Sequence, residues 1–369
     1  MNILRIGVVG CGNISGIYFR NLQRFEGVQV IACSDLDQRK AEAAAQEHHV
    51  PLVLSCDELI THPEVDLVLN LTVPKAHGPI SLQAVRAGKH VYSEKPLAVT
   101  YEEGQEIVAE AKTRGVRVGC APDTFLGGAH QTCRGLIDSG TIGEPVGAAA
   151  FMLCHGHESW HPSPEFFYEP GGGPMMDMGP YYVTAFVNML GPVRAVTGMT
   201  RITFPERTIT SEPRRGAVIK VETPTHIAGV MEFQGGAIAT IVTSFDVWHS
   251  TLPCIELWGT EGSLLVPDPN GFGGKILLKL AGQSEWSEVP VAWGCTGNAR
   301  GIGLVDMVLA ISANRAHRAS GDLALHVLET MLGIGHSADT RRFYEPTHTI
   351  SRPQALQPDL IAEVGERWE

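Results

Sequence analysis

The chain has 369 residues, too many for one ordinary hydrophobic core, so two domains are expected. Hydrophobic residues make up 44% and charged residues 18%, which excludes a disordered chain. The formal net charge is −12 with no basic run, which argues against nucleic acid and membrane surfaces as partners.

The opening MNILRIGVVGCG passes from a short apolar run straight into a glycine turn, so it reads as a first strand rather than a signal peptide. Ile6, Val8 and Val9 suit a strand buried on both faces of a parallel sheet. Ile14, Ile17, Tyr18, Leu22 and Phe25 then recur at helical spacing. Val28 to Cys33 predicts a second strand and the Ala-rich Arg39 to Glu47 a helix. Asp66 to Thr72 is a further buried strand, and a helix around Ile80 to Ala87 stops at Gly88. His90 to Ser93 and Val116 to Cys120 are strands on either side of a helix from Tyr101 to Thr113. Such alternation predicts right-handed βαβ units in residues 1–122.

Beyond residue 122 the texture changes. A helix at Gln131 to Ile137 and a strand at Pro145 to Leu153 come first. Two β-rich runs between Ile227 and Phe245 flank Gly235-Gly236, a hairpin signal. Strand patterns follow at Cys254 to Trp258, Ser263 to Val266 and Ile276 to Leu280, then helical ones at Leu304 to Arg315 and Leu323 to Ile334. The expected fold is therefore α/β: an N-terminal Rossmann domain with a parallel sheet, then an α+β domain over 123–369 with a large, mostly antiparallel open sheet. Eight scattered cysteines without a Cys-x-x-Cys pair, and no membrane-length apolar run, point to a cytoplasmic protein with reduced thiols.

Gly10-Cys11-Gly12-Asn13-Ile14-Ser15-Gly16 has G-x-G-x-x-G spacing between a predicted strand and helix, with Asp35 at the end of the next strand. Gly10 permits the tight turn, Gly12 lets a pyrophosphate approach the backbone, and Gly16 lets helix and strand pack closely. Asn13 and Ile14 open the helix, whose N-terminus offers free N–H groups to phosphate. Asp35 would accept ribose hydroxyls and repel a 2′-phosphate, so NAD is expected ahead of NADP, with Arg39 nearby as the group that softens this preference.

Three later stretches sharpen the reading: Thr72-Val73-Pro74-Lys75-Ala76-His77, Glu94-Lys95-Pro96, and Gly171-Gly172-Gly173 followed by Asp177-Met178-Gly179. With the glycine motif, their order resembles the glucose-fructose oxidoreductase/inositol dehydrogenase/MocA (Gfo/Idh/MocA) family over essentially the whole chain. The resemblance implies NAD(P)-dependent hydride transfer to or from a hydroxyl or carbonyl of a sugar, cyclitol or related polyol. It places Thr72, Pro74, His77, Glu94 and Lys95 at the cofactor and Lys95 beside the reacting oxygen, where a fixed ammonium stabilises developing charge.

One departure concerns the proton. The family often has His four residues after the motif Asp, and here that position is Tyr181. If the segment is helical from its start, Asp177 and Tyr181 share a face. Lys95 would lower the phenol's pKa, so Lys95, Asp177 and Tyr181 are the expected catalytic group. A second proton handler is His157 or His161 in His155-Gly156-His157-Glu158-Ser159-Trp160-His161, where Trp160 can cover a sugar face and His and Glu can bond hydroxyls. The spacing of these histidines reproduces no known metal site. Asp123 and Thr124 stand where many relatives carry substrate-binding Asn or Arg, so Asp123 is expected at the substrate, and the lack of an Arg clamp suggests a neutral one.

Two rivals accompany the dehydrogenase reading: redox-assisted glycoside cleavage with catalytic NAD, and a non-catalytic NAD-binding sensor. The resemblance also implies a homodimer or homotetramer paired through the open face of the second sheet, for which the alternating apolar residues of Ile238 to Val242 are suited.

Overall fold

Short Val, Ile and Leu runs, buried on both faces and separated by turn residues, build the first half of the chain. The computed structural model describes residues 3–356. In order come β1 (Leu4–Val9), α1 (Ser15–Leu22), β2 (Val28–Ser34), α2 (Gln38–His48), β3 (Leu52–Val53), α3 (Cys56–Thr61), β4 (Leu67–Asn70), α4 (Pro74–Arg86), β5 (His90–Ser93), α5 (Tyr101–Arg114) and β6 (Val118–Cys120). The strands form one parallel sheet in the order β3-β2-β1-β4-β5-β6. The order reverses between β1 and β4, and ligands bind open α/β sheets outside the strand ends at such a point.

Two of these elements are absent from the sequence reading. β3 is only two residues long, and α3 is announced by a capping box in which Ser55 and Glu58 satisfy each other's backbone N–H. Helix α4 begins at Pro74, six residues ahead of the expected start, because Pro is compatible with a first helical turn even though Pro79 follows inside the helix.

The second half holds α6 (Gly128–Asp138), β7 (Pro145–Leu153), α7 (Gly173–Leu190), β8 (Val193–Arg201), β9 (Glu206–Thr208), β10 (Val218–Lys220), β11 (His226–Phe233), β12 (Ile238–Ser244), β13 (Ile255–Gly259), β14 (Gly262–Val266), β15 (Ile276–Leu280), β16 (Ser287–Val289), α8 (Ile302–Ser312) and α9 (Gly321–Thr340). Eight strands make a sheet ordered β16-β15-β14-β13-β7-β12-β11-β8, antiparallel except where β7 meets β12. Ile227, Met231 and Phe233 of β11 are buried on the helix-covered face. Val230, with Met199, Ile238 and Trp258 on neighbouring strands, lies exposed on the other.

Helix α7 is apolar all round and buried along its length except at Asp177 and Met178. The apolar interior is continuous between the halves, running through Tyr92, Phe125, Tyr181, Phe186 and Met307. Helices α8 and α9 return to the first half: α9 packs on α5 as well as on α7 and β8, and a bridge joins Gly119 to Ser320. The polar opening in α7 is thereby fixed against the strand ends of the parallel sheet.

Candidate active site

The glycine turn leaves β1 at Gly10, whose φ of 100° is closed to most side chains; an added Cβ would lie 2.7 Å from the backbone of Leu71. A Cβ on Gly12 would meet only open space, and Gly12 and Asn13 are exposed. Helix α1 follows with Ile14 as its N-cap, no side-chain cap and no acid in its first turn; Ser15 N turns back to Gly12 O at 3.0 Å, and no side chain competes with a phosphate for the rest of the helix start. The Asp35 carboxylate accepts from Cys11 N at 2.8 Å and Asp37 N at 2.9 Å, two of about four acceptor positions, and the others remain for hydroxyls. These residues fit a dinucleotide. Gly16 differs from expectation: a Cβ there would meet only the Arg20 side chain, so no strand presses on it. Arg39 is turned to Asp37, with contacts of 3.0 Å.

Beside the turn a cleft is walled by Val73, Pro74 and Lys75 on one side and Phe166, Phe167, Gly171 and Gly172 on the other, and it reaches Lys95 and Asp177. A Lys75–Glu169 ion pair joins the two walls. Thr72 hydrogen-bonds Asn70 at 2.7 Å at the end of β4. His77 was expected at the cofactor, but it is buried, with Nδ1 2.7 Å from Pro96 O and Nε2 2.9 Å from Thr72 O. It ties α4 to the segments after β4 and β5 and presents no free ring nitrogen.

Glu94 is buried and accepts from the Tyr18 hydroxyl at 2.8 Å and from Lys95 N at 2.9 Å. Lys95 crosses to α7, where Nζ donates to Asp177 O at 2.7 Å and Oδ1 at 3.0 Å. The other carboxylate oxygen, Oδ2, lies 3.0 Å from His157 Nε2. Burial alone would push Asp177 up, but the Lys95 ammonium and the His157 contact bring it down to about 2. Burial likewise opposes the Lys95 charge, yet Asp177, Tyr181 and Glu94 raise its pKa. Lys95 is therefore a fixed ammonium with one N–H beyond the two given to Asp177.

Helix α7 is helical from Gly173, so Asp177 and Tyr181 lie one turn apart. The Tyr181 ring centroid is 5.2 Å from Lys95 Nζ. The Arg300 guanidinium, like Lys95, favours the ionised form of the phenol. The expected lowering of the phenol's pKa does not occur: burial outweighs Lys95 and Arg300, and Tyr181 titrates above its ordinary range. It stands ready as a proton donor rather than as a standing phenolate.

The histidines of the 155–161 loop diverge. His157 points to Asp177 from among Trp160, Phe167 and Phe245, whereas His155 stacks on Trp248. His161 packs on Phe166 and Phe167, and burial lowers its pKa. Trp160 is exposed beside His157. Glu158 is not free for a substrate, since it is buried against Arg207 and Tyr168. Asp123 was expected at the substrate but is 1% exposed. Its carboxylate accepts from Gly301 N and Gly303 N at 2.8 and 3.0 Å, and it serves the start of α8 instead. Arg300 was missed altogether, because the Asn298-Ala299-Arg300 stretch carries no motif.

Two family profiles match the chain. One, described as "Oxidoreductase family, NAD-binding Rossmann fold", covers residues 4–121. The other, "GFO/IDH/MocA C-terminal domain", covers residues 130–265. The chain is 37% identical over 299 residues to an inositol 2-dehydrogenase of Ralstonia nicotianae, covering 77% of this chain and 81% of that one. It is 28% identical over 345 residues to a 1,5-anhydro-D-fructose reductase of Ensifer adhaerens, covering 91% and 96%. A solved levoglucosan dehydrogenase, in complex with NADH and levoglucosan, shares the fold with a TM-score of 0.80 at 18% identity, over 94% of this chain and all of that one.

Proposed function

The chain belongs to the GFO/IDH/MocA family of NAD-binding oxidoreductases, and from that premise we propose that it transfers hydride between NAD and a neutral sugar or cyclitol. Residues 1–122 would hold the cofactor through Gly10, Gly12, Asn13, Ile14 and Asp35, with Thr72, Pro74 and Glu94 toward its nicotinamide half. Asp35 favours NAD over NADP, because a 2′-phosphate beside this carboxylate is repelled. Bound there, the nicotinamide supplies or accepts the hydride. Residues 123–369 would present the substrate.

The observation that carries the reading is the Lys95–Asp177 pair at the cleft. Asp177 takes two of the three Lys95 N–H donors and aims the third at the reacting oxygen. Tyr181 then gives the proton during reduction, or takes it during oxidation. A neutral polyol suits a site whose cation is already neutralised by its own carboxylate. The inositol 2-dehydrogenase and anhydrofructose reductase relatives act on such ring compounds by name.

The His157–Asp177 contact of 3.0 Å supports a second assignment, in which His157 moves the proton and Asp177 orients it. Paired variants separate the two. Removing a positioned acid or base costs about a hundred- to ten-thousandfold. Tyr181→Phe should suffer that loss and His157→Ala a smaller one; the reverse ranking assigns the proton to His157.

The open sheet face with Met199, Val230, Ile238 and Trp258 is the proposed pairing surface of a homodimer or homotetramer. Light scattering of Ile238→Lys tests it, with dissociation expected. Among the described residues no helix is long and apolar enough to cross a membrane and no disulfide forms, in keeping with a place in the cytoplasm.

A further inference from the structure

The connection between α8 and α9, residues 313–320, folds back beneath the parallel sheet where β6 begins. Because β6 runs parallel to β5, this is the end of the sheet away from Lys95 and Asp177. An open cleft of about 470 Å³ lies there, within the size range of small-molecule sites. Its wall brings together Lys112 of α5, Arg117 just before β6, and Asn314, Arg315 and His317 of the connection, with Asp322 at the start of α9.

The charge of this wall is one-sided. Asp322 is its only carboxylate, and Lys112 Nζ donates to it at 2.8 Å. Asp306, behind the wall, serves two guanidiniums: Arg315 Nη2 donates to it at 2.7 Å and Arg318 Nη1 at 2.6 Å. Arg117 gives Nη1 to the carbonyl of Arg315, and its backbone N–H goes to His90 Nδ1 at 2.9 Å. Among the described residues no carboxylate reaches the Arg117 guanidinium; its neighbours are Arg315, His90 and His317. Burial and the Arg315 charge both lower its pKa, and no acid raises it. Composition does not explain such a cluster, since the chain as a whole carries a net charge of −12.

We propose that this cleft is a binding site for a phosphate-bearing small metabolite, separate from the dinucleotide site. With Nη1 on the Arg315 carbonyl, the Nε–Nη2 edge of Arg117 remains for the ligand. Two parallel N–H groups on a guanidinium edge match two oxygens of a phosphate. Charge matches as well. Arg117 is one unbalanced cation, and the second guanidinium on Asp306 is another, so a phosphate dianion answers both. Arg117 belongs to the first half of the chain and Arg315 to the second. An anion between them removes their repulsion and ties the halves together, so binding should raise thermal stability.

The test is isothermal titration of the whole protein with inorganic phosphate and with pyrophosphate at fixed ionic strength. The wild type should bind, and Gly12→Ala, which narrows the glycine turn, should bind equally well. Arg117→Gln should bind about ten- to a hundredfold more weakly, the share of one charged hydrogen-bonding partner. Arg117→Glu sets a carboxylate beside Arg315. It should melt higher than the wild type without phosphate and lose the rise in melting temperature that phosphate brings. Absence of binding of either anion by the wild type overturns the proposal, as does undiminished affinity in a folded Arg117→Gln protein. Binding lost in Gly12→Ala but kept in Arg117→Gln also overturns it, because the anion then sits at the dinucleotide turn.

Discussion

Asp177→Asn removes one charge and keeps the shape, and its cost follows from what the carboxylate holds. Native Asp177 titrates at about 2 rather than near 3.8, because Lys95 and His157 outweigh its burial. A depression of that size corresponds to about 2 kcal/mol of folding free energy at neutral pH. The native state binds the proton less readily than the unfolded chain. The stabilisation is therefore complete above the unfolded value near 4 and is lost as pH falls toward 2. The amide also leaves Lys95 enclosed without its counter-ion, and breaking a buried pair from one side costs about 3–5 kcal/mol. We expect a loss of about 2–5 kcal/mol at neutral pH, read by urea unfolding of the two proteins across a pH series. The gap between them should narrow as pH drops below about 5, where wild-type Asp177 begins to lose its advantage. Equal stability at neutral pH, or a gap that stays constant down to acid, would refute this electrostatic account of the pair.

Gly12→Ala should weaken NADH binding at least about tenfold while leaving the apo melting temperature unchanged, since its methyl would meet only the space assigned to the pyrophosphate. Gly10→Ala should also destabilise the apo protein, because φ is 100° there and the backbone of Leu71 is in the way; melting curves with and without NADH distinguish the two. Asp123 is pushed up to about 6 by burial, against the pull of its bonds from Gly303 and Gly301. An acid raised in the native state binds its proton more tightly there. Its contribution to stability grows as pH falls from 7 through 6 toward 4, and Asp123→Asn should erase that component of the pH dependence in thermal unfolding.

The parts of the site that could be read in advance are those written within one or two turns of chain. The glycine turn announces itself because a strand, a tight turn and a helix start follow one another within seven residues. Glu94-Lys95-Pro96 and the Asp177–Tyr181 spacing are equally local. His157 meets Asp177 across 20 residues, and no local pattern encodes such a meeting. Burial was also invisible: His77 and Asp123 looked like polar ligands at strand ends, and each turned out to satisfy backbone groups inside the protein. Most elements followed the periodicity, and β7 and β15 have the expected limits. Short or proline-bearing elements escaped it, as α3 and the first turns of α4 show.

The role proposed for Lys95, held by Asp177, is hydride transfer between NAD and a neutral ring polyol. Its most direct test is absorbance of the reduced nicotinamide when the protein meets NAD and a panel of cyclitols, aldoses and anhydrosugars, beside Lys95→Ala. Net NADH should form with at least one of these compounds, reduction of NADP should be slower, and the variant should lose at least about a hundredfold. Turnover that survives Lys95→Ala, or cleavage of glycosides in the panel without net NADH, would contradict it.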